Sequence, residues 1–380
     1  MTGVPDVSPV VTATAGRERA ATRWVTVEPV IAATIMTVSS LGLVKPLLVR
    51  QRIIEAHNVT LQNGSSACGG GGQPDGSVQA EASLFLLYLG LASGIPAILS
   101  TALLGTVSDR LGRKPAMALP LLGLAAQAGV YLAVAALDLP LPVLFAAEAL
   151  YGLAGGFALS FAAGVAYITD VTEADRRAMR IVAAETVSLF FSGAAEVGQG
   201  FLIRGAGSFL PTIASCLAAS LLGLLYLAVP AVLLETVESG GPFLRALREV
   251  GASMVRLLRV NENGRRWQML LLDVFMFVSM IQLTGSFSIL VLYGSGEPFC
   301  WDSSVSGVAL AATFFAVSIG MAVGTKLFFL CLGEYWLMHL SCLSMALVFV
   351  TFSLAQSTLV MFVGIAVGCL RGIAIPVARN

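Results

Sequence analysis

Apolar stretches of roughly twenty residues, separated by polar breaks, run along most of this chain, and an α-helix of that length crosses a hydrocarbon core about 30 Å thick. Windows of about nineteen residues place such spans at 29–49, 82–104, 116–137, 142–168, 178–203 and 209–233, and again at 267–292, 305–330, 336–355 and 359–378. Hydrophobic residues make up 57% of the sequence and charged residues 12%, against nearly half and about a quarter in a soluble domain. The chain therefore reads as an all-α membrane protein with about ten transmembrane helices.

The longest polar break, Glu235 to Arg266, divides the chain into an N-terminal six-helix half (1–233), a linker (234–266) and a second half of about four helices (267–380). Within the linker, Leu244, Leu247, Met254, Leu257 and Leu258 recur among arginines in a helix-like rhythm, which predicts a segment lying on the cytoplasmic membrane surface. The loop cations set the orientation. With the amino terminus inside, the cytoplasmic side holds Arg17, Arg19, Arg23, Arg110, Arg113, Lys114, Arg176, Arg177 and the linker arginines, and the outer side only Arg50, Arg52 and Arg204. No apolar segment with a cleavage site precedes the first span, so that span is expected to act as an uncleaved anchor.

This orientation puts the Gly-rich segment 50–81 outside. It carries two glycosylation acceptors, Asn58 in Asn58-Val-Thr60 and Asn63 in Asn63-Gly-Ser65. Cys68 lies in the same loop, and Cys300 in the short outer loop after the seventh span. Both face an oxidising compartment, where a Cys68–Cys300 disulfide would persist; the alternative is two free thiols. The remaining four of the six cysteines, Cys216, Cys331, Cys342 and Cys369, fall in or beside spans and read as small core residues. With only two histidines, His57 and His339, and no Cys-x-x-Cys pair, a metal site is not expected.

Between the second and third spans lies the tightest cluster of charge inside an apolar run, Gly105-Thr-Val-Ser-Asp-Arg-Leu-Gly-Arg-Lys-Pro115. Asp109 and Arg113 are four apart, hence on one face if the helix continues, and Gly105 and Gly112 permit close approach or an unusual backbone angle. The pattern resembles the cytoplasmic signature of major facilitator transporters, whose architecture is six helices plus six. The resemblance implies a major facilitator helical bundle, here 6 + 4 and lacking the last two helices, with Asp109 and Arg113 as a gate motif. A truncated form of a longer design is the expectation.

Ionisable residues at membrane depth cost several kcal/mol unless paired or facing a cavity. Glu185 and Glu196 lie eleven residues apart in the fifth span, about three turns or roughly 16 Å on one face, as two depths of one pathway would require. A desolvated carboxyl such as Glu185 suits proton coupling; the alternative is a purely structural hydrogen bond or ion pair. Glu148 in the fourth span and Asp273 in the seventh divide evenly between cavity and packing roles. Arg371 needs a carboxylate or an anionic substrate, Arg379 lies near the boundary, Lys45 is expected to reach the outer interface, and Glu28 reads as interfacial. Together the cations point to an anionic substrate. Glycines at 152, 155 and 156, at 193, 198 and 200, and at 320 and 324 suit close helix packing. No nucleophile, base and orienter stand together, so an enzyme is not expected.

Further segments extend the resemblance to one family. Val27-Glu-Pro29, Ala166-Tyr-Ile-Thr-Asp170, Arg180-Ile-Val-Ala-Ala-Glu185, Glu297-Pro-Phe-Cys-Trp-Asp302 and Pro376-Val-Ala-Arg379 are similar to segments of the proton-coupled folate transporter and its relatives in solute carrier family 46. The resemblance implies proton-driven symport of bulky organic anions by alternating access. It gives Glu185 the proton-coupling role, Cys68 and Cys300 a disulfide, and Arg379 the place of the family's tenth-helix arginine, with Arg371, Glu148, Glu196 and Asp273 as further substrate or gate candidates. The seventh span has Leu283, Thr284 and Ser288 where the folate transporter has a histidine and an acid, and Gly156 replaces an aspartate. Arg52-Ile-Ile-Glu-Ala56 and Gly94-Ile-Pro96 look more like the lysosomal branch, which carries steroid conjugates and bile acids. The expected setting is the lysosomal or plasma membrane. The expected partners are the bilayer, a small organic anion and protons, with no nucleic acid and no cofactor beyond the proton gradient. Oligomeric state stays open, as does a truncated, non-transporting form.

Overall fold

A computed structural model describes residues 27–57, 74–173, 176–229, 233, 235, 265–331 and 334–373. In chain order the helices are α1 (Glu28–Ala56), α2 (Pro74–Leu111), α3 (Arg113–Ala136), α4 (Val143–Leu153), α5 (Gly156–Val171), α6 (Arg177–Ala206), α7 (Leu210–Ala228), α8 (Arg265–Ser295), α9 (Ser303–Cys331), α10 (Glu334–Ser353) and α11 (Thr358–Val367). A 3-10 turn, Gly368–Gly372, continues α11.

All ten expected spans fall on these helices. Among the described residues 8 spans are long and apolar enough to cross a membrane, and two shorter apolar helices, Gly285–Ser295 and Thr358–Gly372, stand at the expected seventh and tenth positions. The surface-lying linker helix predicted between the halves lies outside the described residues. Leu87, Leu91, Ile98 and Leu99 of α2 are more than two-fifths exposed, as side chains facing lipid rather than core would be.

The fourth span is broken. α4 stops at Leu153, Gly155 and Gly156 take φ of 95° and 57°, and α5 starts at once. A left-handed pair interrupts the i→i−4 ladder, the Gly155 N–H turning back to the Gly152 carbonyl at 2.9 Å while the Leu159 N–H takes the Gly155 carbonyl at 3.2 Å. The neighbouring α2 braces the break with second bonds to the same carbonyls: the Ser100 hydroxyl donates to the Gly152 carbonyl at 2.7 Å and the Thr101 hydroxyl to the Gly155 carbonyl at 2.9 Å. α2 comes this near because Gly152 lacks a Cβ, which would run into the backbone of Ser93.

The largest helix–helix contact joins the two halves, α6 of the first against α9 of the second. A Cβ on Gly200 would stand 2.7 Å from the Ser303 carbonyl oxygen and 3.1 Å from the Gly307 Cα, and one on Gly307 would meet the Glu196 carbonyl at 2.6 Å. The backbones themselves form this seam, and the Ser318 hydroxyl adds a bond to the Thr186 carbonyl at 2.9 Å.

Helix ends define two faces. One bears the loops after Ala56, Ala136, Ala206, Ser295 and Ser353, here the first-loop end; the other bears Gly112, Thr172 and Glu235, the motif end. At the first-loop end a single apolar cluster draws on both halves, with Val49, Ile54, Val78, Ile203 and Phe209 packed with Leu290, Phe299, Trp301, Leu310 and Met361. At the motif end the described residues form separate clusters, one around Met117, Tyr167 and Ile168 and one around Leu337 and Ile373. The bundle is sealed between its halves at the first-loop end and divided at the motif end.

Gly200→Leu overpacks the seam and is expected to destabilise by about 1–3 kcal/mol. Gly198→Leu, where a Cβ meets nothing within 4 Å, is its control. Thermal unfolding of the detergent-solubilised protein measures both, and an equal loss in the two variants would refute the close approach.

Candidate functional site

At the motif end, Gly112 takes φ of 112°, which ends α2 and turns the chain into α3. The turn exposes the first amides of α3, and the Glu235 carboxylate accepts from the Arg113 N–H at 2.6 Å and the Lys114 N–H at 3.1 Å. A carboxylate there satisfies orphan donors and the positive end of the helix dipole. A Cβ at Gly112 would stand 2.5 Å from that carboxylate, so the glycine answers to both the backbone angle and the cap.

The Arg113 guanidinium reaches Asp170 at the end of α5 at 3.0 Å and the Ser108 hydroxyl at 3.1 Å. The gate motif thus reaches across to the fourth span; the side chain of Asp109 lies outside the described residues. A second tie, Arg180 to Glu28 at 2.8 Å, joins α6 to the start of α1, where Glu28 is the first residue of the span.

Deeper, Lys45 of α1 lies 2.7 Å from Glu148 of α4, whose same oxygen accepts from the Tyr131 hydroxyl of α3 at 2.7 Å. The Lys45 ammonium also sits 5.8 Å from the Tyr131 ring centroid. The expectation that Lys45 extends to the interface is therefore corrected. A buried carboxylate one helix away supplies a closer partner than water, and Glu148 is 1% exposed.

On α6, Glu185 and Glu196 are both buried, at 8% and 0% exposure. Glu185 is engaged with neighbouring groups, whereas neither carboxylate oxygen of Glu196 has a hydrogen-bond partner. In the second half Arg371 is 9% exposed and lies over the Phe287 ring at 5.8 Å, and Phe287 stacks on Phe314 with centroids 4.7 Å apart. The Arg371 Nε has no acceptor, and no carboxylate among the described residues pairs with the guanidinium. The Ser341 hydroxyl fixes this turn by donating to the Arg371 carbonyl at 2.8 Å.

At the first-loop end Arg204 pairs with Asp302 at 3.3 Å, joining α6 to the start of α9. Burial acts to raise the Asp302 carboxyl, but the Val305 amide, the Ser304 hydroxyl and Arg204 together hold it below the usual carboxylate range. A lowered folded-state value means that its contribution to stability is complete above about pH 4 and fades only as the pH falls further. Cys300, in the adjoining loop, is disulfide-bonded. Cys68, Asn58, Asn63 and Arg379 lie outside the described residues, as does the side chain of Asp273 on α8. Asp170, Glu235 and Tyr131 were not singled out as site residues from sequence. Asp170, ending the quoted Ala166-Tyr-Ile-Thr-Asp170 segment, had the only available signal.

A helical bundle joined at one end, with buried charges and a charged turn after the second span, has the build of the rocking-bundle class of membrane proteins. Residues 73–379 match the Major Facilitator Superfamily. Solute carrier family 46 member 2 of Canis lupus familiaris is 30% identical over 337 residues, covering 80% of this chain and 69% of that protein. The chain belongs to solute carrier family 46 of the Major Facilitator Superfamily. The lysosomal proton-coupled steroid conjugate and bile acid symporter of Gallus gallus is 25% identical over 80% of this chain, and the proton-coupled folate transporter of Rattus norvegicus 30% identical over 80%. The matches span 66% and 65% of those two relatives. Among solved structures, the human organic anion transporter MFSD10 superposes with a TM-score of 0.64 at 15% identity, over 95% of this chain and 84% of its own. The partially occluded, inward-open xylose transporter XylE of E. coli gives 0.59 at 13%, over 93% and 85%. At such identities the likeness is one of fold. The family is one of transporters and not of enzymes.

Lys45→Met strands Glu148 and is expected to cost up to about 3 kcal/mol. Adding Glu148→Gln to it should recover most of that loss in thermal unfolding. A double variant as unstable as the single would show that the charge pairing is not what holds the three helices.

Proposed function

We propose that this chain is a proton-coupled symporter of bulky organic anions, with steroid conjugates and bile acids preferred over folates. The observation that carries this reading is Arg371, a buried guanidinium without a carboxylate partner among the described residues, lying over the stacked pair Phe287 and Phe314. A guanidinium binds carboxylate or sulfate through parallel charge-assisted hydrogen bonds, and the adjoining aromatic faces take an apolar ring system. That combination fits a large anion with a hydrophobic body. The names of the relatives, a steroid conjugate and bile acid symporter and folate transporters, support the same substrate class and the coupling to protons.

Alternating access accounts for the asymmetry of the bundle. With the motif end on the cytoplasmic side, as the loop arginines indicate, the sealed end faces outward and the divided end inward, an inward-open carrier. Arg113 with Asp170, and with Asp109 as the remaining motif residue, forms the latch region of the inner gate. Glu185 takes the role of proton site, Cys68 and Cys300 that of an outer-loop disulfide, and Asn58 and Asn63 carry glycans. Arg379, Asp273 and Glu148 are retained as substrate or gate candidates, Glu148 through its hold on Lys45. The membrane is lysosomal or plasma.

Uptake of labelled estrone sulfate and of folate, compared at acidic and neutral pH in cells with the chain routed to the plasma membrane, tests the proposal. Acid-stimulated uptake favouring estrone sulfate is expected. Arg371→Ala should lower it about 10- to 100-fold, the equivalent of roughly 1.5–3 kcal/mol for a charge-assisted bond, and Glu185→Gln should remove the acid stimulation. Uptake of neither compound by chain present at the surface would favour a truncated, non-transporting protein.

A further inference from the structure

Among the described residues, one carboxylate is fully buried without an ion-pair partner and without a formed hydrogen bond. Glu196 is fully buried and both its oxygens are unpaired. Its surroundings come from four helices. The α1 helix presents the Ser39 and Ser40 hydroxyls, α7 presents the Cys216 thiol, and α9 meets the same turn through the backbone of Gly307. On α6 itself the next carboxylate, Glu185, lies three turns away, about 16 Å along the axis. No cation among the described residues pairs with Glu196.

Of the donors facing Glu196, the Cys216 thiol is weak and Ser39 is committed elsewhere, which leaves the Ser40 hydroxyl. Ser39 donates its only proton to the Met36 carbonyl at 3.0 Å, so it can offer Glu196 lone pairs alone. An ionised carboxylate would face those lone pairs without a compensating cation, at a cost of several kcal/mol. A carboxylic acid would instead bring its own O–H to an available acceptor.

A polar trail leads from Glu196 toward the first-loop end. Gln199, one turn further along α6, donates to the Ser215 hydroxyl at 2.7 Å, and Ser215 donates to the Thr212 carbonyl at 2.7 Å, in the first turn of α7. The Gln199 Oε1 and Thr212 Oγ1 beside it are buried and unpaired, positions that ordered water would satisfy. The seam that seals this end closes directly on Glu196, whose own carbonyl abuts Gly307.

We propose that Glu196 is a proton-binding site loaded from the first-loop end along this trail, and that its protonation allows α6 and α9 to seal over it. The step is simple addition of a proton from the aqueous phase to a carboxylate oxygen. Reopening restores water to the site and lets the proton leave. The proposal rests on the proton-coupled reading above and assigns the two carboxylates of α6 to opposite ends of the pathway, Glu196 beneath the seal and Glu185 nearer the motif end.

The test needs no substrate. A Ser303→Cys reporter is introduced where α9 meets Gly200, the protein is placed in lipid nanodiscs, and labelling by a hydrophilic maleimide is measured at acidic and neutral pH. The parent without the reporter gives the background, and each labelling rate is divided by that of the denatured reporter protein at the same pH, which removes the pH dependence of the thiol itself. The reporter protein is expected to label several-fold less at acidic pH. With Glu196→Gln added, labelling should stay low at both, and with Glu196→Asp the pH response should persist with a displaced midpoint. A pH response that Glu196→Gln leaves intact overturns the proposal but leaves proton coupling standing. Should Glu196→Gln fail to fold, an unmoved midpoint in Glu196→Asp overturns it equally. Labelling of the reporter protein that ignores pH overturns the proposal and counts against the proton-coupled reading as well.

Discussion

Hydrocarbon forms no hydrogen bonds, and where the backbone or a charge of this chain lies at membrane depth a neighbouring helix supplies the missing partner. The α2 hydroxyls of Ser100 and Thr101 add second bonds to the carbonyls at the break in the fourth span. Glu148 receives Lys45 and Tyr131 from two other helices. Each arrangement ties elements distant in sequence, so the polar groups determine which helices adjoin while the apolar ones fill the space between. Among the described residues, the Arg371 guanidinium and the Glu196 carboxylate are two charged groups that stand outside this pattern. Groups left unsatisfied in a bundle that satisfies so much else are where substrate and proton chemistry belong.

The spans were legible because crossing a membrane imposes a length and a composition that need no knowledge of packing. The charged turn was readable because its glycines and charges occupy a few consecutive positions. Partnerships were harder to read. Asp109 and Arg113 stand at helical spacing, yet the described bonds of Arg113 run to Asp170 and Ser108, since α5 passes beside the turn. Lys45 and Glu148 each looked like a separate exception to the cost of burial and proved to be one pair. Glycine was the most ambiguous letter: Gly200 and Gly307 serve close approach, whereas Gly155 serves a left-handed backbone. Composition does not separate these uses, because both need the same missing Cβ.

The seam between α6 and α9 shows how such glycines serve a moving machine. Backbone rests on backbone at Gly200 and Gly307, while the Phe315 ring of α9 lies against Gly193 and Phe190 of α6, and small residues let two helices lie close and shift relative to one another. The seal at the first-loop end adds what the seam lacks in specificity: the Arg204–Asp302 pair, the bond from Gln79 to the Leu292 carbonyl at 2.7 Å, and an apolar cluster shared by both halves. Because the Asp302 carboxyl is held below its ordinary range, this tie keeps its charge in moderately acidic surroundings. Acid acting on the bundle would thus find the tie at the first-loop end intact and be felt at buried carboxylates instead.

The broken fourth span has one more consequence. Its piece toward the first-loop end carries Glu148 and is tied to Lys45 and Tyr131, while its piece toward the motif end carries Asp170 and is bound to Arg113. Between the pieces lie two left-handed glycines. An unbroken helix would transmit a tilt at one face of the membrane rigidly to the other, as a rod does. This one has a fulcrum at its middle, so the ion pairs at its two ends are mechanically independent, and either face of the six-helix half can yield while the other holds its shape.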